Sequence, residues 1–193
     1  MINMLNLLQA IHPFSDGLLE YLDQHVKVRE VARKDYLLKA GHISRVIHFV
    51  ESGLLRCYYL KGDTEVSSWF MKASDLIISI ESFHLQKPSY ENIQALEDSL
   101  LYYVDYSEME YMYRQFPEFN FVGRVLTQKY HVLWAQQLYG LRMQTPEQRY
   151  EWLLDNHAEL LLQVPSKYLA SYLGIGEVTL SRIKSRRRFL IPR

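Results

Sequence analysis

Cysteine is nearly absent: Cys57 is the single thiol in 193 residues. One thiol cannot make an intramolecular disulfide or a cysteine-rich metal site, and such a chain suits a reducing cytoplasm. Excess charge is absent too, since 22 Lys and Arg balance 22 Asp and Glu for a formal net charge of zero. A chain without overall charge does not coat polyanions or membranes, so any nucleic-acid contact must come from a local basic patch. No apolar run nears the ~18 residues of a membrane span. The opening MINMLNLLQAIHPFSDG lacks the basic start and small-residue cleavage site expected of a secretion signal. Repeats and low-complexity segments are missing. So are Gly-x-Ser-x-Gly, the P-loop and the dinucleotide fingerprint, and the seven histidines include no His-Glu-x-x-His pair. The expectation is no metal and no catalytic constellation, which makes an enzyme the weakest class.

What is present is enough apolar material for a sizeable core, 48% of the chain. A short helix over residues 3–11 is broken by Pro13, and Ser15 or Asp16 can cap a second helix running to about Gln24. From residue 26 to about 104 the segments become short and rich in Val, Ile, Tyr and Phe. Turn residues such as Gly41, Ser52-Gly53 and Lys61-Gly62-Asp63 separate them. Strands at roughly ten-residue spacing indicate a small antiparallel sandwich or roll. Ser107, with Glu110 three places on, predicts a capped helix to Gln115. Pro117 opens the longest helical stretch, about 118–143. One apolar stripe on it contains Val122, Leu126, Lys129, Leu133 and Gln136, and a neighbouring one holds Phe121, Val125, Val132 and Tyr139. A helix apolar on two faces needs two partners. The first stripe is taken as the seam with a second copy of the chain, in a two-fold dimer. Thr145-Pro146-Glu147-Gln148 then starts another helix with a capping box and Pro in the first turn.

The stretch SKYLASYLGIGEVTLSRIKSRRR, residues 166–188, fits a helix-turn-helix position by position. Ala170 offers a small side chain where two helices cross, and Gly174 tolerates the turn. Leu169, Leu173, Ile175, Leu180 and Ile183 close a small core. The second helix, about 177–187, presents Glu177, Val178, Thr179, Ser181 and Arg182 outward. Lys167, Lys184, Arg186, Arg187 and Arg188 supply positive charge. Arg182 can make two hydrogen bonds to a guanine edge, and the lysines and remaining arginines can neutralise phosphates.

Roll, long helix, short helix and helix-turn-helix, in that order, resemble the Crp/Fnr family of bacterial transcription regulators over nearly the whole chain. The residues that carry the likeness are Lys39-Ala40-Gly41, Ser52-Gly53-Leu54-Leu55-Arg56, Lys87-Pro88-Ser89-Tyr90, Ala95-Leu96-Glu97-Asp98-Ser99, Tyr168 to Ile175 and Thr179 to Ile183. The wording is most similar to short members from Bacteroidetes-type bacteria. The resemblance implies an α+β fold in two domains. Residues 1–144 would form a cyclic-nucleotide-binding-like, jelly-roll-like double-stranded β-roll with flanking helices and the long dimerisation helix. Residues 145–193 would form an all-α helix-turn-helix domain. It further implies a cytoplasmic homodimer on a near-palindromic operator. Double-stranded DNA, a small-molecule effector and RNA polymerase would be partners, and a membrane would not.

The sequence departs from the family pattern at three places. Relatives that hold cyclic nucleotide use Gly-Glu for the ribose and Arg with a small hydroxyl residue for the phosphate. Here those positions fall on Ile78 and Ser79, and on Ser89 and Tyr90. A buried phosphate needs a paired cation, so tight binding of cAMP or cGMP is not expected and no cofactor is assigned. Val178 stands where relatives carry an acidic residue, which leaves Arg182 as the strong base reader. After Arg188 five residues remain, too few for the two-stranded wing of many relatives. One cysteine also cannot supply the iron–sulfur ligands of oxygen-sensing relatives. The competing function is a small-molecule-binding or protein-interaction module whose helix-turn-helix no longer reads DNA.

Overall fold

The computed structural model describes the backbone of residues 1–188 and the side chains of residues 1–186. The chain divides into two compact units: residues 1–59 with 69–129, and residues 60–68 with those from 130 onward. The boundary expected at Gln144 is therefore displaced. It falls within one continuous helix, whose carboxy-terminal half belongs with the second unit.

The first unit begins with α1 (Ile2–Gln9) and α2 (Asp16–His25). Ser15 caps α2, its hydroxyl accepting from the Leu18 N–H at 3.3 Å. The strands follow: β1 (Lys27–Val31), β2 (Tyr36–Leu38), β3 (Val46–Ser52), β4 (Leu54–Lys61), β5 (Thr64–Lys72), β6 (Leu76–Ile77). After α3 (Ile80–Leu85) come β7 (Glu91–Ala95) and β8 (Ser99–Asp105). They form two four-stranded sheets, ordered β1-β8-β3-β6 and β2-β7-β4-β5. The resolved pairings are antiparallel, which is the expected roll. Val50, Leu55, Ile77, Ile93, Ala95 and Leu101 make one buried cluster. A second cluster joins Phe49 and Val104 to Leu18, Leu22, Met109, Met112, Val122 and Leu126 of the helices.

α4 (Tyr106–Gln115) starts earlier than predicted. Asp105, the last residue of β8, takes the cap position, and Glu108 accepts from its backbone N–H at 2.8 Å. Ser107 and Glu110 are already inside the helix. The long helix α5 (Pro117–Met143) follows.

His48 on β3 pairs across the sheet with Tyr103 and Ile77. It is 4% exposed, and its Nε2 has no partner among the described residues. Burial, with Arg29 second, lowers its pKa from 6.5 to about 3. The unfolded chain binds a proton below about pH 6.5, whereas the fold resists until about pH 3. The stability conferred by a neutral His48 is thus complete above pH 6.5 and is lost as pH falls toward 3. His48→Phe removes that dependence. Denaturant titrations at about pH 7 and pH 4.5 should show the parent losing more stability than the variant, by on the order of 2 kcal/mol. Equal losses would contradict the assignment.

The second unit holds α6 (Pro146–His157), α7 (Leu160–Gln163), α8 (Ser166–Tyr172) and α9 (Glu177–Arg188). Thr145 and Gln148 form the predicted capping box, with Thr145 N–H to Gln148 Oε1 at 2.9 Å and Gln148 N–H to Thr145 Oγ1 at 3.3 Å. Leu153, Leu160, Val164, Leu169, Ala170, Leu173, Leu180 and Ile183 are buried. Arg149 of α6 ties two helix ends together, donating to Leu173 O at 2.7 Å and to Gln144 O at 2.6 Å. The tip of the β4–β5 hairpin also belongs to this unit. Ser171 Oγ accepts from Ser67 N–H at 2.7 Å and donates to Glu65 O at 3.1 Å.

Candidate functional site

The loop between α3 and β7 brings three of the expected effector positions to one place. Ser79 and Ser89 are both buried, and their hydroxyls bond each other at 2.9 Å. Ser89 Oγ also accepts from Glu91 N–H at 2.9 Å. The loop itself is anchored by Gly41 N–H to Ser89 O at 2.7 Å and Ser89 N–H to His42 O at 2.9 Å. Tyr90 is exposed and bonded to Glu81, a bond that, with burial second, raises its pKa to about 12. Ile78 departs from the expectation: it packs against the helical cluster instead of joining the serines.

Cationic charge at this loop is already committed. Lys87 pairs with Glu81, and that hydrogen bond, then the one from Tyr90, holds the Glu81 carboxyl below its ordinary range. Tyr59 of β4 donates to Glu91 Oε1 at 2.8 Å, and its ring lies 5.7 Å from that of Tyr90. Glu81, Glu91 and Tyr59 were not anticipated as site residues. Alignment to a family pattern marks only positions where the family has a role, whereas these three are found through cross-strand register, Tyr59 facing Glu91. The two serine hydroxyls are thus bonded to each other, and the two carboxylates of this region are bonded to Lys87 and Tyr90 and to Tyr59.

The geometry of the α8–α9 pair begins with its turn. α8 ends at Tyr172 with Leu173 as its C-cap, Gly174 takes φ +66°, and the chain reverses through Gly174 N–H to Ser171 O at 3.1 Å and Ile175 N–H to Ala170 O at 3.0 Å. This pair of bonds is a standard glycine-terminated helix end. Ala170, 1% exposed, sits in the small buried cluster beneath both helices. Gly176 stands at the start of α9, its carbonyl accepting from Leu180 N–H at 3.1 Å.

Outward from α9 point Glu177, Val178, Ser181, Arg182 and Arg186, all exposed, with Thr179 half-buried. Residues 178, 181, 182 and 185 share one helical face. Lys167 on α8 is exposed. Lys184 is half-buried and reaches Ser166 Oγ at 3.4 Å. No ion pair among the described residues holds Arg182 or Arg186. The expectations for the Arg187 and Arg188 side chains, and for the lack of a wing after them, lie outside the described residues.

The seam expected on α5 is corrected in part. Val122 and Leu126, 1% and 8% exposed, belong to the chain's own helical cluster. A side chain filled into that cluster cannot also meet a second molecule. Lys129 and Gln136 are exposed and Leu133 is half-buried. The neighbouring stripe is the one left outside: Phe121 is 41%, Val132 55% and Tyr139 59% exposed. No group of His, Cys, Asp and Glu among the described residues could hold a metal ion, and no described helix is long and apolar enough to cross a membrane.

Residues 28–116 match the family model of the cyclic nucleotide-binding domain. No curated protein matches the chain by sequence. Among solved structures, a double mutant of CooA from Carboxydothermus hydrogenoformans superposes with a TM-score of 0.74 at 20% identity, covering 97% of this chain and 85% of that one. FixK2 from Bradyrhizobium japonicum gives 0.74 at 16%, covering 86% and 85%. A proposed Crp/Fnr-family transcriptional regulator from Eubacterium rectale gives 0.72 at 12%, covering 95% and 88%. Residues 28–116 are thus similar to the cyclic nucleotide-binding domain, and the chain shares its fold with solved bacterial proteins that include a Crp/Fnr-family regulator.

Proposed function

We propose that the chain is a DNA-binding transcription regulator, acting as a homodimer in the cytoplasm, with α8 and α9 as its helix-turn-helix. One observation carries this reading. The glycine turn and the buried cluster under α8 and α9 leave a basic face of α9 outward, with Arg182 and Arg186 held by no carboxylate among the described residues. Residues 177–188 carry five basic side chains against one acidic, so the neutral chain concentrates its positive charge where a duplex would lie. The two copies of α9 would enter successive major grooves about one turn apart. A gel shift with DNA from upstream of the protein's own coding region, at two salt concentrations, tests this. The expected result is a sequence-preferring shift that weakens steeply with salt. No shift at micromolar protein would favour the module that has stopped reading DNA.

The roll is an effector domain that has lost cyclic nucleotide. Ser79, at the ribose position, and Ser89, at the phosphate position, bond each other; the nearest lysine is paired with Glu81, and the Glu91 carboxylate accepts from Tyr59. A phosphate brought there would meet a carboxylate whose lysine is already paired with it. Titration calorimetry with cAMP and with cGMP should give no heat of binding up to about 100 μM ligand, roughly the tight end of a millimolar affinity scale. A dissociation constant of micromolar or below for either would overturn this reading. The lining left open to another effector is hydroxylic and aromatic, from Tyr59, Tyr90 and the two serines.

A further inference from the structure

An apolar groove of about 490 Å³ lies wholly within the second unit. The carboxy-terminal half of α5 forms one wall, with Val132, Ala135 and Tyr139. Trp152 of α6 and Tyr172 of α8 form the other. Gly140 forms part of the floor, and it is buried. A glycine inside a helix costs about 1 kcal/mol relative to alanine. Here the chain itself gives it little purpose, because an added Cβ would meet only the flexible Gln144 side chain, at 3.0 Å from Oε1. The glycine leaves that stretch of backbone open to close approach from outside the chain.

The occupant follows from the pattern of α5. Phe121, Val125, Gln128, Val132, Ala135 and Tyr139 recur at alternating steps of four and three, the seam of a two-stranded coil. This stripe shares Val132, Ala135 and Tyr139 with the groove wall. Both copies of α9 must face one duplex, so the paired α5 helices run parallel. In that geometry the residue just before each four-step seam position crosses to the far flank of the other helix. At the level of the groove that residue is Leu138, apolar and 54% exposed. The flank it reaches carries Gln136 and Met143, with Gly140 immediately behind.

We propose that Leu138 of a second copy of the chain fills this groove, so that the dimer contact reaches the helix-turn-helix unit itself. The inference rests on the homodimer read above. Its consequence is that α6 and α8 are set partly by the other subunit, and dimerisation and the placement of α9 are one event.

Cross-linking separates the inference from the dimer. In a Cys57→Ala background, Val132→Cys chains should form a disulfide-linked dimer on mild oxidation, since position 132 faces its own copy across the two-fold axis. An equimolar mixture of Leu138→Cys chains and differently tagged Trp152→Cys chains should give a mixed disulfide-linked dimer. Cross-linking at 132 without the mixed product would overturn the groove assignment and leave the dimer standing. No product at 132 would sink the dimer and the inference with it. A second measurement does not depend on cysteine placement. Leu138 is exposed in the single chain, so Leu138→Ala leaves folding intact and should weaken the dimer about tenfold in sedimentation equilibrium. An unchanged dimer constant would count against the proposal.

Discussion

Gly53→Ala will lower the melting temperature of the protein by on the order of 10 °C. Gly53 joins β3 to β4 at φ +103°, a conformation side chains rarely adopt. Its space is also taken. An added Cβ would stand 2.2 Å from Ser99 Oγ, 2.6 Å from Ser99 Cβ and 2.7 Å from Ser99 Cα. Ser99 cannot step aside, because its Cα belongs to the first pair of the β1–β8 ladder, opposite Val31, and its hydroxyl donates to Glu97 O at 2.8 Å. Either the β3–β4 turn or the start of β8 must move, at a cost on the order of 4 kcal/mol. Gly62 at the β4–β5 tip is the control. It also has positive φ, +60°, but nothing lies within 4 Å of its added Cβ. Gly62→Ala should cost only the backbone penalty, about 1 kcal/mol. Calorimetric melts of the two variants check this; equal shifts would show that the contact with Ser99 has no part in holding the roll.

The second large effect is on DNA. Arg182→Ala should weaken binding to the preferred sequence by roughly 5- to 150-fold, the equivalent of about 1–3 kcal/mol for a lost two-bond contact to guanine. Binding to unrelated duplex should change little. Arg182 is exposed and unpaired by any carboxylate among the described residues, so the variant's stability should stay within about 0.5 kcal/mol of the parent's. Arg186→Ala is the contrast, a phosphate contact at the end of the same face. It should weaken all sequences alike and reduce the salt slope by about one. Anisotropy titrations with preferred and scrambled duplexes at several salt concentrations distinguish them. Identical behaviour of the two variants would remove Arg182 from base reading.

Much of this fold was legible because the decisive features were local. Thr145 with Gln148, Ser15 before Leu18, and Gly174 between two apolar clusters each encode a cap or a turn within a few residues. The start of α4 was hidden because β8 runs into it without a loop, so Asp105 reads as a strand end while it serves as a helix cap. The faces of α5 were hidden for a different reason. Both stripes are apolar, so periodicity says that two partners exist without saying which stripe meets which. The choice is made far away in sequence, where Leu18, Met109 and Met112 pack with Val122 and Leu126. Even Gly123 gives no sign on its own; an added Cβ there would strike the Tyr113 ring at 2.5 Å.

At the sites, charge was easier to read than contact. The missing cation at Ser89 and Tyr90 was visible in the residue types, and so was the basic end of α9. The mutual bond of Ser79 and Ser89 was not visible, nor the turn of Lys87 toward Glu81. The link from Ser171 to the β4–β5 tip was equally hidden, since it uses the backbone groups of Ser67 and Glu65, which leave no trace in side-chain identity.

Selection from a random duplex library by the 193-residue chain asks whether it reads DNA sequence at all. The expected result is enrichment of one near-palindromic site, with half-sites roughly 10 base pairs apart and a guanine whose importance vanishes with Arg182→Ala. A library that emerges unchanged, at salt low enough for phosphate contacts to hold, would contradict it.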